Sequence, residues 1–171
     1  LENHFEGLQI RIDENEVWSK LVGSFNAYNL LAIYATAILL QMDKIEALKH
    51  ISLLSSVEGR FQYFISKNNC VVIVDYAHTP DALENVLHTI ADIRTGNEEV
   101  FTVVGCGGDR DPTKRPLMAK IATENSNKVI LTSDNPRTED PAEIIKEMEE
   151  GVPAEKYARV QTNTDRKQAI K

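Results

Sequence analysis

The chain has little sulfur: of its 171 residues only two are cysteines, Cys70 and Cys106, and three are methionines. A disulfide framework or thiolate metal site needs more cysteines, more closely spaced, so the β-branched runs around these two read as settings for buried thiols. Long apolar runs are also missing. The longest, Leu30 to Leu40, falls well short of the about 20 residues of a membrane span, and no basic segment precedes an apolar one at the start. Neither membrane insertion nor export is therefore expected, and a cytoplasmic setting follows. Basic charge is in deficit, with 19 Lys and Arg against 26 Asp and Glu. Without a Lys/Arg cluster to follow a phosphate backbone, nucleic acid is not an expected partner. At a net charge of -7, an anionic ligand would be held by local geometry rather than by the field of the whole protein. Internal repeats and low-complexity tracts are absent too. What remains, 42% hydrophobic and 26% charged, is the composition of an ordinary packed domain.

Residues 1 to about 23 read as extended, with Leu8 to Ile12 alternating and Val17 to Val22 following a polar turn. Phe25 to Met42 and Lys44 to Ile51 read as helices, and a domain boundary is expected near residues 55 to 60. Beyond it, Phe61 to Ile65 and Val71 to Val74 read as strands around the turn Ser66-Lys67-Asn68-Asn69, the second apolar enough for a sheet buried on both faces. A helix from Thr79-Pro80, a strand Val100 to Val104, a helix opening at Pro116 and a strand Lys128 to Thr132 follow. Asp140-Pro141-Ala142-Glu143 supplies an N-cap, a first-turn proline and a capping-box glutamate for the next helix, which Gly151 ends. A weak strand, Ala158 to Gln161, and a helix start at Thr164 or Asp165 complete the series. This βαβαβα order predicts an α/β fold with a Rossmann-like, doubly wound, mostly parallel sheet.

Ligands gather at the carboxyl ends of such strands. After Val74 comes Asp75-Tyr76-Ala77-His78, which suits ribose hydroxyls and a stacked base; a turn with Asp75 as cap is the plain alternative. After Val104 comes Gly105-Cys106-Gly107-Gly108-Asp109-Arg110, then Lys114 and Arg115. The glycines permit positive φ and close approach, and three cations precede a helix N-terminus, so the segment reads as an anion cradle. The alternative is a tight turn with Arg110 paired to Asp109 or Asp111. A nicotinamide-binding domain is disfavoured, because the dinucleotide fingerprint needs a third glycine where Arg110 stands. After Thr132 comes Asp134-Asn135-Pro136-Arg137, whose guanidinium and carboxylate suit the zwitterionic end of an amino acid. Alternatively, this loop only caps the helix that follows.

Three segments, Val71 to Leu87, Val103 to Ala122 and Ile130 to Ile145, resemble the Mur ligases that add the third residue of the peptidoglycan stem peptide. Gly23 to Asn29 and Gly59-Arg60-Phe61 extend the resemblance over nearly the whole chain. It implies that residues 1–56 are the end of a central ATP-binding domain and 57–171 the C-terminal, amino-acid-binding domain. In that family Asp-Asn-Pro-Arg distinguishes enzymes that add meso-diaminopimelate from those that add L-lysine, and here it stands intact as Asp134, Asn135, Pro136 and Arg137. A buried Arg137 would pair with the far carboxylate of diaminopimelate but face an ammonium in lysine, a discrimination on the order of several kcal/mol.

The resemblance implies that Arg110 and Asp134 to Arg137 bind the amino acid, that Asn26 or Asn29 approaches adenine, and that Arg60, Asp75 and His78 complete the ATP site. It further implies a monomer using ATP and Mg2+, which activates the D-glutamyl γ-carboxylate of a UDP-linked muramoyl dipeptide as an acyl phosphate for attack by diaminopimelate. No residue of this chain is expected to be a catalytic nucleophile or a metal ligand. The family's G-T-x-G-K-T loop, magnesium-binding acids and UDP-binding domain are expected upstream of Leu1, and its G-K-G-H-E motif beyond Lys171. The chain is thus expected to be a fragment, inactive alone. A lysine-adding ligase, a folylpolyglutamate synthase and a non-catalytic nucleotide- or amino-acid-binding module are the competing readings.

Overall fold

The computed structural model describes residues 1–68 and 70–171; Asn69, placed above in a turn, lies outside the described residues. The chain packs as two compact units, Leu1–Tyr76 with Thr89–Ile93, and Ala77–His88 with Arg94–Lys171.

The first unit opens with an antiparallel sheet of β1 (Glu2–His4), β2 (Gly7–Ile12) and β3 (Asn15–Ser19) in that order. Alternation along β2 turns Leu8, Ile10 and Ile12 to one face. There they pack with Val17, with Leu30 and Tyr34 of α1 (Phe25–Leu39), and with Ala47, Leu48 and Ile51 of α2 (Lys44–Leu53). Burying each such side chain stabilises the fold by roughly 1.5–3 kcal/mol. Asp43 caps α2 by accepting from Glu46 N–H. At the β2–β3 turn Asp13 has a left-handed backbone, φ 46°. Its carboxylate accepts from the Tyr34 hydroxyl at 2.9 Å and Lys44 Nζ at 3.2 Å, and both hold its pKa below the ordinary value.

β4 (Gln62–Ile65) and β5 (Val71–Val74) form an antiparallel two-stranded sheet. This corrects the expectation for β5: Val72 is 48% exposed and Val74 44%, so its apolar run marks strand propensity, not burial on both faces. Cys70 beside it is exposed, also against expectation. α3 (Pro80–Ile93) follows, its first turn capped by Thr79 Oγ1, which accepts from Ala82 N–H.

The second unit carries the parallel α/β architecture. β6 (Phe101–Val104), β7 (Lys128–Thr132) and β8 (Val160–Asn163) pair in chain order, all parallel. α4 (Lys114–Glu124) connects β6 to β7, and α5 (Pro141–Glu149) with a 3₁₀ segment, Ala154–Arg159, connects β7 to β8. Met118, Ala119 and Ala122 of α4 and Ile144, Ile145 and Met148 of α5 are buried with Val129 and Leu131 of β7. α4 opens at Lys114, two residues before the expected Pro116. Asp140 caps α5 as its sequence predicts, accepting from Ala142 N–H at 2.8 Å. Glu143, expected to complete a capping box, instead accepts from Lys146 Nζ at 3.3 Å. α6 (Arg166–Ala169) is capped by Asp165.

Candidate functional site

Val104 stands opposite Leu131 in parallel register, so the loops leaving β6 and β7 start side by side. Backbone and side-chain hydrogen bonds lock them together. Gly108 N–H donates to the Asn135 carbonyl at 2.9 Å. In return Arg137 Nη1 donates to the Gly108 carbonyl at 2.7 Å and the Asn135 carbonyl at 3.3 Å. The Asp109 carboxylate accepts from Thr138 Oγ1 at 2.7 Å and Thr138 N–H at 3.3 Å, while Asp109 N–H donates to Glu139.

The glycines serve close approach. A Cβ on Gly108 would lie 1.9 Å from the Pro136 carbonyl oxygen. One on Gly107 would lie 2.9 Å from Arg137 Nη1 and 4.0 Å from Arg110 Cγ, so both arginine side chains flank Gly107. The expected positive φ does not occur at these glycines. Among the described residues, positive-φ glycines are Gly7, Gly23, Gly59 and Gly96, and the left-handed positions of the two loops are Asp109, φ 51°, and Arg137, φ 53°. Such backbones cost of order 1–3 kcal/mol each and persist where surrounding bonds over-determine them, as here.

The cradle of three cations is likewise corrected. Arg115 is 2% exposed, its Nη2 donating to Glu139 at 2.8 Å and its Nη1 to Glu147 at 2.8 Å. These carboxylates hold the guanidinium in its charged form and leave it committed to protein partners. Lys114 Nζ donates to the His78 carbonyl at 3.0 Å. Arg110 is exposed, and neither aspartate considered as its partner pairs with it: Asp109 binds Thr138, and Asp111 accepts from Thr113 Oγ1 at 2.7 Å. Arg137 is exposed, not buried, so a carboxylate pair there is worth about 0.2–1 kcal/mol until the site is closed from water. Asp134 lies 3.7 Å from Arg166, which also donates to the Ser133 carbonyl at 3.2 Å. Cys106 is buried between the glycines, and burial pushes its thiol pKa up to about 11.

In the first unit, Asn26 and Asn29 share one face of α1, Asn29 Nδ2 donating to Asn26 Oδ1 at 3.0 Å. Asn26 Nδ2 in turn donates to the Val22 carbonyl at 2.7 Å. The Phe25 and Phe61 rings, 6.4 Å apart, bring this helix start beside the Gly59–Phe61 turn. Asp75 accepts from Phe61 N–H at 2.7 Å, and the Arg60 guanidinium lies 4.7 Å from the centre of the Tyr76 ring. An amide pair, a guanidinium on an aromatic face and a carboxylate thus gather within one unit. His78 belongs to the other unit.

Glu139, Thr138 and Arg166 are further parts of the site, which the sequence alone does not single out. Glu139 and Thr138 follow the Asp-Asn-Pro-Arg string directly, and Arg166 begins the helix whose start was expected at Thr164 or Asp165. The signal was present, but their partners are distant in sequence.

Residues 59–171 match the family model described as Mur ligase, glutamate ligase domain. The chain belongs to the Mur ligase family. Over 166 residues, 97% of the chain, it is 53% identical to the UDP-N-acetylmuramoyl-L-alanyl-D-glutamate--2,6-diaminopimelate ligase of Cytophaga hutchinsonii, of which it spans 34%. A solved structure of a ligase of the same name superposes on 99% of the chain with TM-score 0.63 and 37% identity, the chain covering 35% of it. The folylpolyglutamate synthase of Thermotoga maritima superposes on 99% of the chain with TM-score 0.72, the chain covering 39% of it. Its 19% identity shows the Mur ligase fold alone. The chain thus spans about a third of the length of the curated relative it matches.

Proposed function

We propose that this chain is the carboxyl-terminal portion of an ATP-dependent ligase that adds meso-diaminopimelate to UDP-N-acetylmuramoyl-L-alanyl-D-glutamate. Residues 1–56 end the central ATP-binding domain in this reading, and residues 57–171 form the domain that binds the amino acid. The observation that carries it is the convergence of Arg110 and Arg137 on Gly107, above an Asp-Asn-Pro-Arg loop locked to the glycine-rich loop. Two exposed arginines flanking Gly107, with Asp134 three residues before Arg137, suit an amino acid with two carboxylates and an ammonium at its far end.

Backbone carbonyls hold the Nη1 corner of Arg137, leaving its Nε–Nη2 edge for a bidentate carboxylate pair. Its left-handed backbone and those two hydrogen bonds pre-orient the guanidinium before ligand arrives, which lowers the ordering cost of binding. Asp134 and the Asn135 amide side chain take the ammonium and orient the amine that attacks. ATP supplies the phosphoryl group that turns the γ-carboxylate into an acyl phosphate. Asn26 and Asn29 would meet the base, while Arg60 and Asp75 of the same unit would meet the rest of the nucleotide. Among the described residues no group of three or more His, Cys, Asp or Glu side chains is placed to hold a metal, so no step is assigned to magnesium here. The contribution of this chain is positioning and charge stabilisation. The reading includes a cytoplasmic monomer; among the described residues no helix is long and apolar enough to cross a membrane.

The test is ADP release by the complete parent protein given ATP, the UDP-linked dipeptide and meso-diaminopimelate, each omitted in turn. Release that needs all three supports the ligase. Release as fast without the amino acid as with it, or none with all three, contradicts it.

A further inference from the structure

Behind the exposed loops lies an ion triad centred on the buried Arg115, whose carboxylate partners Glu139 and Glu147 are partly exposed and whose Nη2 also reaches the Gly107 carbonyl at 3.5 Å. Arg115, in the first turn of α4, spends both terminal nitrogens on carboxylates, Glu147 from α5 and Glu139 from the loop before α5. The two acids are not equivalent. Glu147 sits on a helix already packed through Ile144, Ile145 and Met148, whereas Glu139 ends the exposed Asp-Asn-Pro-Arg segment. Glu139 Oε1 receives two donors, Arg115 Nη2 at 2.8 Å and the backbone N–H of Asp109. A single carboxylate oxygen therefore joins α4, the glycine-rich loop and the Asp-Asn-Pro-Arg loop. Asp109 passes the constraint on through its carboxylate to Thr138, the residue after Arg137. Glu139 N–H closes a turn onto the Pro136 carbonyl at 3.0 Å, which encloses Arg137 in its left-handed backbone.

We propose that Arg115 is a positioning residue that, through Glu139, fixes the backbone of Arg137 and hence the reading of the amino acid's far carboxylate. The inference rests on the proposed diaminopimelate site. Charge-assisted bonds to a buried arginine are stiffer than neutral ones, and supporting residues of this kind typically govern affinity about 10–100-fold without touching ligand.

Glu139→Ala and Glu147→Ala each delete one carboxylate from the same guanidinium, so they separate positioning from stapling. Measured in the complete parent protein, Glu139→Ala is expected to raise KM for diaminopimelate about tenfold or more, with KM for ATP within about twofold, and to lower the preference for diaminopimelate over lysine. Both alanine variants are expected to lower thermal stability similarly, but Glu147→Ala to leave both KM values within about twofold. Glu139→Gln, which keeps an acceptor oxygen, is expected to recover part of the loss, and it carries the comparison should the alanine variant not fold. Equal KM effects from the Glu139 and Glu147 variants, or none from either, would overturn the proposal. Wild-type protein that turns over no diaminopimelate would instead overturn the proposed function on which it stands.

Discussion

Arg137 donates from Nη1 to the carbonyl of Gly108 at 2.7 Å, a hydrogen bond between loops that leave neighbouring parallel strands. It ties the guanidinium proposed to read the amino acid to a glycine that has room for no side chain. Local geometry of this kind offsets the net negative charge, which gives a dicarboxylate no long-range attraction.

Gly107 and Gly108 should respond differently to alanine. At Gly108 the new Cβ would meet a backbone oxygen at 1.9 Å, so the loops must separate, costing about 1–3 kcal/mol of stability as overpacking does. At Gly107 it meets the far end of the Arg137 side chain at 2.9 Å, which swings aside at little cost. Gly107→Ala should therefore keep its unfolding midpoint while KM for diaminopimelate rises about tenfold; Gly108→Ala should lose both. Thermal unfolding and KM measured on the two variants check this, and a Gly107→Ala protein with normal KM would contradict it.

The cysteines should separate in alkylation. Cys70 is exposed, whereas Cys106 is buried with its pKa pushed up to about 11 by burial, leaving it protonated at neutral pH. Its iodoacetamide reaction should be about a hundredfold slower or more than that of an exposed cysteine. Mass spectrometry of timed digests should find Cys70 modified first, and Cys106 only on unfolding. Equal rates would contradict the buried placement.

Acid should loosen the site loops. The hydrogen bond from Arg115, then that from Asp109 N–H, holds the Glu139 pKa below its ordinary 4.5. A carboxyl with a depressed folded pKa contributes stability above its unfolded pKa and loses it as pH falls through the folded value, so stability rises with pH across that window. The wild-type unfolding midpoint should fall more steeply than that of Glu139→Gln as pH drops from about 5 to 3. Parallel curves would mean that the pair contributes nothing.

Local signals were legible in the sequence. The Asp140-Pro141 start of α5, the alternation of β2 and the bounds of β7 each depend on neighbours within a turn or a strand. The two strand-end loops were legible as loops from their glycines and prolines, whereas their chemistry rested on the resemblance. What escaped depends on distant partners. Arg115 reads as one of three cations until folding sets it against Glu139 and Glu147. The left-handed backbone falls on Asp109 and Arg137 because Thr138, Glu139 and Gly108 hold it there. An apolar strand such as β5 looks the same in an exposed antiparallel pair as inside a sheet.

The most direct test of the account is the ratio of kcat/KM for meso-diaminopimelate over L-lysine in the complete parent protein, wild type against Arg137→Ala. The account predicts that wild type strongly prefers diaminopimelate, and that the variant loses most of that preference through a higher KM for diaminopimelate while KM for ATP stays within about twofold. An unchanged ratio in the variant, or a wild type that prefers lysine, would contradict it.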